Sequence, residues 1–262
     1  MYDSKNIDKH KKWLPLTFSL RFIFGNLNIL GLSLLLMCCT ALLTWLGYLV
    51  TIHFADGLTG HFFQQPPETA GIIGWFLVKG WWLLKFIFLM FSRVIAFYLA
   101  FLVSYSLTSP GYAFLSISSE KKYLGEKFTD DEGFTWAVFV KDLVEGCKIG
   151  LFGLGVTLAA VFLNLIPVVG AGLVVILYIF YSTLMFIDYP TSRQHWSLGT
   201  KLGWLKQQWP KALRLGWLPA LTSMIPVINI FFMALLFPLF TVHATLNFIK
   251  TTTDMEEYDP EI

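Results

Sequence analysis

Residues 29–52, ILGLSLLLMCCTALLTWLGYLVTI, run for 24 positions without a charged side chain. As a helix that stretch is about 36 Å long, enough to cross the roughly 30 Å hydrocarbon core of a bilayer. Three further apolar regions follow, over 71–107, 149–187 and 215–249. With 56% hydrophobic and 14% charged residues and a mean hydropathy of +0.63, the chain reads as an all-α, polytopic integral membrane protein. Ten Trp and ten Tyr suit belts at the membrane–water interface. A net charge of +2, with no basic-aromatic module, argues against nucleic acid as a partner. Cys38, Cys39 and Cys147 form no disulfide framework and are expected as buried thiols. About 28 polar or mixed residues precede the first apolar run, so no cleavable signal peptide is expected.

Charge asymmetry sets the expected orientation. Lys5, Lys9, Lys11, Lys12 and Arg21 precede the first run, whereas the loop after it carries Asp56 and Glu68 but no Lys or Arg. The positive-inside rule then places residues 1–28 in the cytoplasm and that loop outside. The region from Gly71 to Leu107 is too long for one perpendicular span. Its first part, GWFLVKGWWLLK, holds Lys79, Lys85 and three Trp and suits an amphipathic interfacial piece. The crossing itself is expected over 86–107. Arg93 lies within it and either snorkels to the interface or faces a polar cavity. The segment 134–150, FTWAVFVKDLVEGCKIG, reads as a cytoplasmic helix on the membrane surface. The loop after the third region carries Arg193, Lys201, Lys206, Lys211 and Arg214 against Asp188 alone, and is expected to be cytoplasmic.

The third and fourth regions each contain Ile-Pro-Val, in LNLIPVVGAG at 163–172 and TSMIPVINIF at 222–231. Pro167 and Pro226 remove a backbone donor and discourage the preceding helix from continuing. Gly170 and Asn229, three residues after each proline, tolerate the left-handed backbone of a tight reversal. A tip in water normally carries polar residues, and these have almost none. The arms expected over 150–166 and 215–225 are about 25 and 16 Å long. Two re-entrant helical hairpins over 149–187 and 215–249 fit these facts, with Pro-kinked ordinary spans as the alternative.

With FIDYPTSRQHWS at 186–197, IPVVG, and LTSMIPVINIFFMALLFPLFTVHATLNF at 221–248, the chain resembles the CysZ-like sulfate permeases, relatives of the etoposide-induced membrane proteins. The resemblance covers most of the chain and is weakest in the N-terminal third. It implies a single membrane domain over 1–262, with transmembrane helices at 29–52 and 86–107, the two hairpins, and a flexible tail at 250–262. It also implies a homo-oligomer in the bacterial inner membrane, taking up sulfate for cysteine synthesis with no ATPase domain and no cofactor. In the family a Gly-x-Arg-Arg segment opens the first helix and grips sulfate. The matching stretch here is FGNLNILG: Gly25 agrees, whereas Leu27 and Asn28 stand where the arginines would be. Exposed N–H groups of a helix start attract anions, but Leu27 and Asn28 supply no charge-assisted bonds for a dianion.

The anion-binding candidates are therefore Gly25, Asn26, Leu27 and Asn28, with Arg93 as an intramembrane attraction point and Arg21, Lys79 and Lys85 as possible compensation. An Asp188–Arg193 pair is expected as a staple just outside the first hairpin. Gly150, Gly153 and Gly155 with Ala159 and Ala160 would permit close helix packing. His10, His53, His61, His195 and His243 show no metal spacing, and no Walker loop, nucleophile elbow or zinc-protease motif indicates an enzyme. The competing readings are a non-transporting membrane scaffold of the same fold and a permease for a different small solute.

Overall fold

Long apolar runs interrupted by proline and charge give helices and little else. The computed structural model describes residues 13–59, 66–67, 71–128, 135–194, 196–224 and 228–256. They form α1 (Leu16–Phe24), α2 (Leu27–Thr59), α3 (Gly71–Leu124), α4 (Trp136–Leu163), α5 (Val169–Ser192), α6 (Leu198–Gln207), α7 (Trp209–Met224) and α8 (Ile228–Glu256). Five stretches have the length and composition to cross a membrane: Leu27–Phe54, Gly74–Lys127, Phe139–Leu163, Val169–Ser192 and Ala234–Thr252. The chain is a membrane protein.

Several boundaries differ from the sequence reading. The interfacial piece and the crossing expected within 71–107 are one helix, α3, which runs on to Leu124. The surface helix expected over 134–150 is the first half of α4. In both places no residue breaks the backbone ladder where the side chains change character. The tail expected to be flexible from 250 continues α8 to Glu256. Cys38 and Cys147 are exposed, because an apolar run in such a protein also has an outward face.

The chain forms two compact units, Cys38–Leu107 and the remainder. In the smaller one, Gly47 lets α2 approach α3, where an added Cβ would come within 3.2 Å of that of Ala100. Tyr48 and Phe97 pack beside this contact at 5.6 Å. Trp45, Leu46, Leu83 and Phe86 point outward, as a lipid-facing surface requires.

The larger unit is built around the second half of α5, buried from Ser182 through Thr191, and the buried stretch Phe237–Ile249 of α8. Phe237 sits 4.6 Å from Tyr112 and 4.8 Å from Phe186, ring centre to ring centre. Helix α7 lies close against α5 because Gly216 has no side chain. A Cβ there would collide with the Ile179 carbonyl and the Thr183 hydroxyl. Thr183 Oγ1 donates across the same contact to the Ala212 carbonyl at 2.6 Å. Small residues and interhelical hydroxyl bonds are the usual means of packing helices where hydrophobicity cannot drive association. On α4, Gly153 likewise makes room for the Tyr181 ring of α5.

The α4–α5 reversal is a γ-turn. Val169 N–H donates to the Pro167 carbonyl at 2.7 Å, and Val168 between them has φ 65° and ψ −54°, the strained form of that turn. The positive φ therefore falls on Val168, not Gly170. Gly170 serves by being small, since a Cβ there would run into the Leu163 carbonyl. Pro226 lies outside the described residues, and Asn229 falls in the first turn of α8.

Candidate functional site

Helices α4 and α5 are antiparallel arms of one turn, so their far ends meet. Glu145 lies 18 residues before the end of α4 and Asp188 lies 19 after the start of α5. At 1.5 Å per residue both stand about 27–28 Å from the turn. Helix α6 completes the group: Ser197 caps it by accepting from Thr200 N–H, and its inward face carries Lys201 and Leu205.

Lys201 is fully buried and donates from Nζ to Asp188 Oδ1 at 2.5 Å. Glu145 Oε2 lies 3.9 Å from the same Nζ, too far for a hydrogen bond. Its other oxygen, Oε1, accepts from Lys148 at 2.6 Å. A second pair joins Arg193 to buried Glu120 at 3.3 Å. The Arg193 guanidinium also lies 4.9 Å from the Phe128 ring centre. Hydroxyls surround these charges. Thr191 donates to the carbonyls of Ile187 and Asp188, and Ser116 bonds Thr245 at 2.7 Å. The interior of this unit is thus charged and hydroxyl-rich, although its helices are apolar enough for a bilayer.

The Asp188–Arg193 staple does not form: Asp188 takes Lys201 and Arg193 takes Glu120. Five residues along a helix turn the two side chains to different faces. Lys201, Glu120 and Glu145 escaped sequence reasoning because each sits in a polar-looking segment. The available signal was Asp188 itself, a carboxylate at the end of an apolar helix that must find a cation.

Gly25 and Asn26 join α1 to α2. Gly25 N–H donates to the Arg21 carbonyl, and the Asn26 carbonyl receives the first bond of α2 from Leu30 N–H. The Asn26 amide turns back to the Phe22 carbonyl at 2.6 Å. Leu27 is 81% exposed, and Asn28 and Arg21 are exposed as well. Arg93 is an exposed position of α3 in the smaller unit. There Lys79 stands over Trp75 and Lys85 over Trp81 and Trp82, at 5.0–5.9 Å. Such pairing suits a helix segment at a membrane surface.

Residues 16–234 match the family described as sulfate transporter CysZ/etoposide-induced protein 2.4. The chain belongs to this family. No individual curated protein matched it. The match takes in α1 through α7, and with them the buried Lys201–Asp188 pair and the Arg193–Glu120 pair, whose arginine is half-buried. The CysZ family is a transporter family, so a charged interior has a functional reading as well as a structural one.

Proposed function

We propose that the chain is a permease of CysZ type that admits sulfate across the bacterial inner membrane to supply cysteine synthesis, working as a homo-oligomer. The observation that carries this reading is the ionisable interior: Glu120, Asp188, Arg193 and Lys201 lie within or against helices of bilayer length. In this reading these ionisable groups, gathered at the end of the α4–α5 arms away from the apolar turn, form a charged mouth for an anion path. In this reading α2 and α3 cross the membrane, while α4–α5 and α7–α8 are hairpins entering from the cytoplasm. The arm α7 has 16 residues, about 24 Å, which supports a tip that stops short of the far side. Gly25–Asn28 forms the vestibule and Arg93 an attraction point. Exposed on an apolar helix, Arg93 needs water, headgroups or a second subunit around it.

The scaffold reading keeps one specific support, the exposed Leu27 and Asn28 at the anion-gripping positions. Labelled sulfate uptake into proteoliposomes separates the two, comparing the native chain with Arg93→Ala and Glu120→Gln. Flux above empty vesicles is expected, reduced in both variants. No flux with the native chain would remove sulfate as the solute; flux unchanged by Arg93→Ala would remove only that residue's role.

A further inference from the structure

A cavity of about 130 Å³ opens in the larger unit between α1, α5, α7 and α8. Trp13, Leu16, Phe186 and Trp217 contribute apolar walls, and Arg214 and His243 contribute the polar groups. None of the ion pairs described above reaches it.

The hydrogen bonds to the His243 ring all fall on one nitrogen, Nδ1. Asn247 Oδ1 accepts from Leu14 N–H at 2.9 Å, which assigns its other terminus, Nδ2, as the donor. That Nδ2 faces His243 Nδ1 at 3.3 Å, the His243 carbonyl at 3.0 Å and the Leu14 carbonyl at 3.4 Å. The Ser19 hydroxyl also meets Nδ1, at 3.0 Å. With an amide N–H₂ and a hydroxyl both turned toward Nδ1, we assign Nδ1 as the acceptor and the ring proton to Nε2. Among the described residues none bonds Nε2. His243 is buried at 8% exposure and lines the cavity, so its second nitrogen is a held donor with no protein acceptor. Arg214 is exposed, and among the described residues no carboxylate pairs with it. Its neighbours in sequence, Lys206 and Lys211, add to the positive field.

From this arrangement we infer that the cavity is an oxyanion site, taking a tetrahedral sulfate or phosphate group between the Arg214 guanidinium and His243 Nε2–H. Arginine matches such groups with two parallel N–H bonds. A fixed neutral donor at the inner wall meets a further oxygen without adding charge to a buried place. The aromatic walls suit either a free anion or the phosphate of a lipid headgroup, since Trp prefers the interface where headgroups lie. Binding here is independent of whether the chain carries sulfate across the bilayer, and the site is distinct from Gly25–Asn28.

The test uses the full chain in detergent, titrated with sodium sulfate or phosphate against sodium chloride at matched ionic strength. Thermal unfolding and tryptophan fluorescence are the readouts. Arg214→Gln changes an exposed residue and leaves packing intact. His243→Asn keeps an acceptor near the Nδ1 position for Ser19 and Asn247 while deleting the Nε2 donor. Each is expected to weaken the apparent affinity about tenfold or more, with Arg214→Lys intermediate. A second arm repeats the titration in phosphatidylcholine nanodiscs with and without phosphatidylglycerol. Competition by phosphatidylglycerol that disappears in Arg214→Gln supports the site with a headgroup phosphate as its natural occupant. Saturable binding of the free ions, lost in both variants and indifferent to lipid, supports it with a soluble anion. No response to any of these ligands, or responses that both variants leave unchanged, overturns it.

Discussion

Lys201 is the residue whose removal should be felt most. Its ammonium is fully buried and has two carboxylates within reach, Asp188 at 2.5 Å and Glu145 at 3.9 Å. Lys201→Met leaves Asp188 buried with no cation, a change that typically costs about 3–5 kcal/mol. Asp188→Asn is milder for two geometric reasons. The amide oxygen can still accept the short hydrogen bond, and Glu145 remains. By distance alone Glu145 supplies about two-thirds of the attraction that Asp188 does, from the ratio 2.5/3.9. The expected cost is therefore about 1–3 kcal/mol. The double change Asp188→Asn with Lys201→Met removes both charges together. It should be more stable than Lys201→Met alone, giving a coupling energy of about 2 kcal/mol or more. The assay is thermal unfolding of the purified chain in detergent, followed by tryptophan fluorescence. For a chain of this size each kcal/mol corresponds to about 2–4 °C, so Lys201→Met should lower the midpoint by about 6–20 °C. Equal losses for the two single changes, summing in the double, would refute the buried pair as the organising contact.

Further outcomes follow from the α5–α7 contact and from the turn. Gly216→Ala forces a methyl group into the Ile179 carbonyl and should cost about 1–3 kcal/mol. Thr183→Val removes the bond to Ala212 and should cost about 0.6–1.7 kcal/mol. Combined, they should be non-additive in the same thermal assay, because both act on one contact. Val168→Gly should raise stability by about 1 kcal/mol, since φ 65° is strained for a branched residue. The side chain is 94% exposed, so almost no packing is lost. Finally, Val168→Cys in a variant lacking Cys38, Cys39 and Cys147 should resist impermeant maleimides from either side of the membrane. Ready labelling from outside would replace the re-entrant hairpin by two full spans.

What could be read from the sequence was whatever depends on runs and breaks. Residues 29–52 and the proline at 167 announce a membrane protein with a reversal, because uncharged length and a missing backbone donor act locally. The chemistry that depends on which helices meet was not readable in the same way. Lys201 looks like one more solvated charge in a basic loop until α6 folds it against α5. Arg193 looks like the natural partner of Asp188 because it is near in sequence, yet helix geometry turns the two apart and gives Arg193 to Glu120. The exchange of Gly170 for Val168 as the positive-φ residue has a similar cause. A glycine predicts where such backbone is cheap, whereas here the close approach of Leu163 claimed the glycine first.

The hairpin supplied one quantitative clue that sequence alone could have used. Two arms leaving a turn keep equal height, so any residue pair equidistant from Pro167 shares a level. Glu145 and Asp188 satisfy that condition to within one residue, and between them and the turn α4 has charge only at Lys148 and α5 has none. The uncharged reach is thus about 27 Å on the longer arm, slightly less than the roughly 30 Å of hydrocarbon. In the proposed re-entrant arrangement, a helix pair of that length, with its charges gathered at one end and an apolar γ-turn at the other, is anchored where the charges are. Lys201 then pins α6 to the anchored end, and the basic loop that carries it stays with the same surface. On that proposal the ion pairs and the apolar tip are one device: the charges fix the depth from which the tip is measured.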